Sequence, residues 1–214
     1  RLNGMITECF YPDRDSLFAA LLKDCCARLT SATAQGKQAS MLVSGGSTPE
    51  PLYRQLSQQS LAWQQVTIAL VDERWVDSDD AGSNQAFIQS TLLQAQAAAA
   101  NFVTMKTAHP TALLGVEACE QNYRQLPQPF DLTLLGMGLD GHMASLFPAA
   151  DGIEAALDVN HKALIAAITA KPSEVTGDLL ERISLSLYGL LQSRQLHLLI
   201  TGEEKLEVYK EALA

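Results

Sequence analysis

The chain has 214 residues, with 24 Asp and Glu against 15 Lys and Arg, a formal net charge of −9 at pH 7. A chain this acidic is a poor general binder of nucleic acid, whose phosphates need clustered Lys and Arg. Hydrophobic residues make up 47% and charged residues 18%, enough for a packed core, yet no apolar run reaches the roughly 18 residues that span a bilayer.

In chain order, Phe18, Leu21, Leu22, Cys25 and Leu29 mark one face of a helix over residues 17–29. Met41, Leu42 and Val43 form a short strand that stops at Gly45 and Gly46. Ser47-Thr48-Pro49-Glu50 then reads as a helix start, with a hydroxyl cap and proline in the first turn. The β-branched run 66–71 has strand length and ends at Asp72. Helical patterns follow at 84–93 and 111–126, and the alanine tract 97–100 reads as a helix end or surface turn. Residues 130–135 form another apolar strand, which ends at Gly136. Residues 163–168, the alternating 183–187 and 196–200 read as further strands, the last leading through Gly202 into a charged helix from Glu203. Strands separated by helices predict an α/β fold with a mostly parallel, Rossmann-like sheet flanked by helices. No linker or internal repeat divides the chain, so one α/β domain over residues 1–214 is expected.

Cys9, Cys25, Cys26 and Cys119 show no CxxC or metal-ligand spacing, and the adjacent Cys25 and Cys26 suit no disulfide framework. All are expected to be small buried hydrophobes in a reducing compartment. No charged-then-apolar leader opens the sequence. A cytoplasmic location is the expectation.

The distinctive motifs each follow a predicted strand: Ser44-Gly45-Gly46-Ser47-Thr48, Asp72-Glu73-Arg74, and Gly136-Met137-Gly138-Leu139-Asp140-Gly141-His142. In an open parallel sheet the carboxyl ends of the strands share one edge, where ligands bind. Two glycines ahead of a helix start let backbone N–H groups approach an anion. A small phosphorylated metabolite would suit that loop, and so would an ordinary strand-to-helix turn. The run from Gly136 matches G-x-G-x-x-G, a dinucleotide fingerprint, but it lies late in the chain and Phe147-Pro148 cuts short the long helix such a fingerprint opens.

His142 is one of four histidines. Beside Asp140, and on a loop that should reach the shared edge, it suits a general base. His109, His161 and His197 take structural readings. Arg74 offers a forked donor for phosphate or carboxylate at the same edge. Lys205, in the first turn of the last helix, sits where a cation is unfavourable to the helix dipole, a hint of some use beyond local stability.

Together these residues resemble the 6-phosphogluconolactonase family, within the wider glucosamine-6-phosphate isomerase/deaminase superfamily. The pieces that carry the resemblance are LVSGGSTPEPLY, VDERW, Ser83-Asn84, FDLTLLGMGLDGHMASLFP, ERISLSL and LLITGEEK, in family order from residue 41 to 205. DER and Ser145-Leu146-Phe147-Pro148 stand on the lactonase side, since the related deaminases carry an aromatic at Arg74 and an Asn-Glu-Pro run after DGH. The resemblance implies a sheet of the sugar-phosphate isomerase/CoA-transferase-like type. It also implies hydrolysis of 6-phospho-D-glucono-1,5-lactone to 6-phosphogluconate in the oxidative pentose phosphate pathway. By that analogy His142 activates water, supported by Asp140. Arg74 orients the substrate's anionic groups, and Asp72 holds the arginine or contacts sugar hydroxyls. Gly45, Gly46, Ser47 and Thr48 line the phosphate side, with Lys205 and Arg182 adding charge. The implied partner is a small sugar-phosphate lactone, with no metal or other cofactor and no nucleic acid or membrane. A monomer or weak oligomer is expected.

The sequence departs from the family pattern at Leu139, where proline is usual, at Met143, where threonine is common, and at Asp77, in place of a frequent proline. Rival readings are an isomerase or deaminase on the same fold, a serine hydrolase, and a non-catalytic sugar-phosphate sensor. No G-x-S-x-G elbow supports the serine hydrolase. A sensor has no need of His142.

Overall fold

The computed structural model describes residues 6–214. The first helix, α1 (Arg14–Ala32), is capped by the Asp13 side chain and buries Phe18, Leu21, Cys25 and Leu29, the face expected from their spacing. β1 (Ala39–Val43) is buried at every position. α2 (Glu50–Ser57) begins later than expected, with Pro49 in the cap position and no side-chain cap bond. The hydroxyl of Thr48 therefore does not close that helix. β2 (Val66–Leu70) follows, and then β3 (Asp72–Arg74), a separate short strand in place of the charged end of β2. α3 (Asn84–Thr91) is capped by Ser83 and α4 (Ala112–Arg124) by Thr111. Between them lies β4 (Asn101–Val103), preceded by a 3-10 turn over Ala95–Ala99.

The second half contains β5 (Leu132–Leu135), a short α5 (Ile153–Leu157), β6 (Ile165–Thr169), β7 (Glu181–Leu185), α6 (Leu187–Leu190), β8 (Leu196–Leu198) and α7 (Glu203–Leu213). These strands form two sheets. A five-stranded sheet has the order β4-β2-β1-β5-β8, and every pairing in it is parallel. Its central strands β1, β2 and β5 are buried at every position but Thr67 and are mostly apolar, as strands of a parallel sheet are. A three-stranded sheet, β3-β7-β6, is antiparallel. Only the larger sheet has the parallel, Rossmann-like character expected. β6 and β7 pair as a hairpin-like unit with β3 and do not join it.

The two sheets are stitched at Val71. Its N–H donates to Val43 O at 2.9 Å, and its carbonyl accepts from Leu185 N–H at 2.8 Å. In the larger sheet the chain runs outward from β1 through β2 to β4, then returns to β5 and β8 on the other side. The switch point therefore lies between β1 and β5, the place where open parallel sheets bind ligands beyond the strand ends. The loops after both strands carry glycine motifs.

Among the described residues no helix is long and apolar enough to cross a membrane. Cys25 and Cys119 are fully buried and all four cysteines are free. Burial pushes the Cys25 thiol up to about 12. Cys9 is exposed and Cys26 only half-buried, so the expectation of buried hydrophobes fails for both: Cys9 lies on the irregular segment ahead of α1, and Cys26 lies beside the buried face of that helix.

Candidate active site

The loop after β5 carries the candidate base. His142 Nδ1 lies 2.5 Å from Asp140 Oδ1, and the His142 backbone N–H donates to the same oxygen at 3.2 Å. A carboxylate can only accept, so this contact places the ring proton on Nδ1 and leaves Nε2 as the free basic nitrogen. The loop closes on itself as Gly138 N–H donates to His142 O at 2.9 Å and Gly141 N–H to Gly138 O at 3.1 Å. Gly138 is required by close approach: a Cβ there would stand 2.2 Å from the imidazole and 2.7 Å from Asp140 Oδ1. No helix follows this loop until Ile153, so its glycines do not open the long helix of a dinucleotide fold.

The charged strand β3 divides its side chains between two faces. Successive residues of a strand point to opposite sides, and β3 pairs with β7 in the register Asp72↔Ser184, Glu73↔Ile183, Arg74↔Arg182. Asp72, Arg74, Arg182 and Ser184 therefore share one face, with the two arginines directly opposite each other. Glu73 is on the other face and is buried. It accepts from Ser83 Oγ at 3.1 Å, Asn84 N–H at 2.8 Å and Gln85 N–H at 2.7 Å, anchoring the start of α3. Burial nonetheless raises its pKa from the ordinary glutamate value, against the pull of those donors. Glu73 thus belongs to the scaffold.

Asp72 does not hold Arg74. Its Oδ2 accepts from Ser145 Oγ at 2.5 Å, and its backbone carbonyl accepts from Asn84 Nδ2 at 2.9 Å. Ser145 N–H donates in turn to Ser184 Oγ at 3.2 Å. These bonds fasten the loop bearing His142 to the arginine face of the smaller sheet. Ala144, at φ +51°, makes the sharp turn that lowers Ser145 onto Asp72, a left-handed conformation that residues with side chains rarely visit.

Arg182 is 4% exposed and has no carboxylate partner among the described residues. Its Nε donates to Leu179 O at 2.7 Å and its Nη2 to Thr176 O at 3.2 Å. Burial first, and then the neighbouring Arg74 cation, pull its pKa down to about 10, so it remains charged at neutral pH. Arg74 donates from Nη1 to Gly82 O, while its Nε is buried with no acceptor among the described residues. Two adjacent guanidiniums, one with an orphan N–H, form a place where an anion restores both charge balance and hydrogen bonding.

The Ser44-Gly45-Gly46-Ser47-Thr48 loop reaches the same region through Asn84. A Cβ on Gly45 would overlap the Asn84 side chain, 2.0 Å from Oδ1. Tyr53 Oη donates to Ser44 O at 2.7 Å and pins the loop from α2. Gly46 and Ser47 are exposed, and the side chains of Ser47, Thr48 and Lys205 have no hydrogen-bond partner among the described residues. Lys205 lies on α7, which packs near Gly141 through Val208. The structure thus brings Arg74, Arg182, Asp72, Asp140, His142 and the Gly45 loop together, with Lys205 on an adjoining helix. The chain's pattern did not single out Asn84 beyond its place in a motif. Its signal is the polar residue directly after the Ser83 cap.

The other histidines have structural partners or solvent. His197 Nε2 meets Asp24 Oδ2 at 2.7 Å, His109 Nδ1 meets Thr107 Oγ1 at 2.8 Å, and His161 is exposed.

A family described as glucosamine-6-phosphate isomerases/6-phosphogluconolactonase matches residues 12–214. The chain belongs to this family. A 6-phosphogluconolactonase of Rhizobium meliloti (strain 1021) is 37% identical over 204 residues, covering 95% of this chain and 86% of the relative. A solved 6-phosphogluconolactonase from Shewanella baltica OS155 superposes with a TM-score of 0.89 at 39% identity, covering 98% of this chain and 88% of that one. The 6-phosphogluconolactonase from Trypanosoma brucei gives a TM-score of 0.80 at 25% identity, with 96% and 86% covered. This chain is accordingly an enzyme of the glucosamine-6-phosphate isomerase/6-phosphogluconolactonase family. Its departures from the family pattern sit mainly at the surface: Leu139 is 51% exposed and Asp77 is exposed, while Met143 packs partly buried against the core.

Proposed function

We propose that the protein hydrolyses 6-phospho-D-glucono-1,5-lactone to 6-phospho-D-gluconate, the lactone-opening step of the oxidative pentose phosphate pathway. The observation that carries this reading is an imidazole–carboxylate pair, His142 and Asp140, linked through the Phe147 ring to Arg182, which lies opposite Arg74 in the β3–β7 register, both arginines lacking a carboxylate partner among the described residues. A δ-lactone is an activated ester, so a positioned base and a donor for the developing charge suffice, without metal or covalent nucleophile.

His142 Nε2 takes a proton from water as the water oxygen attacks the lactone carbonyl. Asp140 holds the ring in the required tautomer and stabilises the imidazolium. The oxyanion then needs donors. The backbone N–H groups of Gly138, Gly141 and His142 are already committed within the loop, which leaves those of Met137, Leu139 and Asp140 together with Arg74, whose buried Nε has no acceptor among the described residues. When the tetrahedral intermediate collapses, the imidazolium returns its proton to the ring oxygen as the carbon–oxygen bond breaks. Arg182, Lys205 and the loop of Gly45, Gly46, Ser47 and Thr48 supply the phosphate side. Asp72 acts by fastening the loop of the base through Ser145, in place of holding Arg74. A cytoplasmic single-domain enzyme without a cofactor, monomeric or weakly oligomeric, with no nucleic-acid or membrane partner, completes the proposal.

The test generates the lactone in situ from glucose 6-phosphate and follows proton release. Hydrolysis well above the spontaneous rate supports the proposal, and a rate equal to the spontaneous one refutes it.

A further inference from the structure

The imidazole of His142 is fixed to its own loop by Asp140, but both members of that pair belong to one glycine-rich loop, and both remain partly exposed, at 18% and 30% of their side chains. Their mutual bond cannot orient the ring relative to the arginines, which belong to the other sheet. The Ser145 bonds to Asp72 and Ser184 place the loop against that sheet but do not touch the imidazole, so another contact must set the plane of the ring. Phe147 is 3% exposed, and its ring lies 4.2 Å from the His142 ring, centroid to centroid, with the planes 36° apart. The Arg182 guanidinium carbon stands 5.3 Å from the centroid of the same ring. One aromatic ring therefore touches the base of the five-stranded sheet and a cation of the three-stranded sheet.

We infer that Phe147 is a positioning residue: its rigid plane, seated on Arg182, sets the orientation of the His142 imidazole toward the arginine pair. The inference rests on the reading of His142 as the base. Stacked aromatic rings have preferred offsets and tilts, and a guanidinium over an aromatic face is attracted to it, so the ring is held from the Arg182 side and orients the base on the other. An aliphatic side chain of similar bulk fills the same space but imposes no plane. Catalysis is sensitive to displacements of about 1 Å at the reacting groups, whereas substrate held by the arginines does not depend on the direction of the imidazole.

The experiment compares Phe147→Leu, Phe147→Met and Phe147→Tyr with the unaltered enzyme, in steady-state kinetics on the lactone and in proton NMR without substrate. The expected result is a fall in kcat of about tenfold for the Leu and Met variants, with KM within about twofold and kcat largely recovered in the Tyr variant. The ring protons of His142 in the unaltered enzyme, identified by their loss in His142→Ala, should show the upfield displacement that stacking on an aromatic face produces. Wild-type kcat in the Leu or Met variant, equal impairment by Tyr, or a loss confined to KM overturns the inference. So do His142 ring protons at free-imidazole positions, a readout that needs no variant to fold. Failure of the unaltered enzyme to hydrolyse the lactone would sink the proposed activity, and the NMR result would still judge the stack by itself.

Discussion

The three-stranded sheet holds its site residues inside paired strands, whereas the five-stranded sheet delivers its own from loops beyond the strand ends. Arg74 and Arg182 are set opposite each other by the β3–β7 register, so their backbones are fixed by ladder bonds. His142 and Asp140 depend on a loop that must be tied down at several points: against Gly138, through Ser145 to Asp72 and Ser184, and through Phe147 to Arg182. The difference assigns different failures to the two regions. Damage to the loop should appear in kcat with affinity for the anion kept, whereas damage to the arginine face should appear in that affinity as well as in kcat, since Arg74 is a candidate oxyanion donor and Arg182 seats Phe147.

The largest expected effect is on the loop side. His142→Ala should lower kcat by about 10²–10⁴-fold, the usual share of general acid–base help, with KM changed little in steady-state assays. Gly138→Ala comes next, because its Cβ would stand 2.2 Å from the imidazole and must displace the ring. A kcat loss on the order of 10–100-fold is expected, with thermal unfolding almost unchanged. A large rise in KM with normal kcat would break the comparison.

On the arginine side, Arg182→Met replaces a buried cation that lacks a carboxylate partner by an apolar chain that fits the same space. Calorimetric affinity for 6-phosphogluconate should fall by about tenfold, while stability stays level or rises by about 1 kcal/mol, as burial of an unpaired charge is costly. Arg182 also sets an alkaline limit. Its pKa is pulled down to about 10 by burial and by Arg74, so the folded site loses this charge as pH rises through that value. Product affinity, measured by titration calorimetry between pH 8 and 11, should weaken with rising pH in the unaltered protein and be flatter in Arg182→Met. Smallest in its effect on chemistry is Glu73→Gln, on the opposite face of β3. It loses part of the acceptor set that anchors α3 and should cost about 1–3 kcal/mol of stability in denaturant unfolding, with kcat of the folded enzyme intact.

Much of the fold is legible in the chain because burial makes its pattern plain. β1 and β5 are apolar at almost every position, and the α1 face at Phe18, Leu21, Cys25 and Leu29 repeats at helical spacing. Two strands of the second sheet, β6 and β7, are legible at 163–168 and 183–187, but their antiparallel pairing as a separate sheet and its third strand are not. β3 is three charged residues, so it reads as the end of β2, and only its pairing with β7 makes it a strand. β4 is equally short and follows an alanine tract that hides it. The expected hydroxyl cap at Thr48 fails because Pro49 takes the cap position itself. Within the site, Gly138, Asp140 and His142 stand together in sequence and carry their own signal. The links that matter between regions, Asn84 to Asp72, Ser145 to Asp72 and Phe147 to Arg182, join residues 12, 73 and 35 positions apart. Such links are written in distance, and no local pattern announces them.

The separation of binding from chemistry is tested most directly by titrating 6-phosphogluconate into His142→Ala and recording turnover of the lactone by the same preparation. Product affinity should stay within about threefold of the unaltered enzyme while turnover falls by about 10²-fold or more. Full turnover without the imidazole, or loss of product binding with it, would contradict the account.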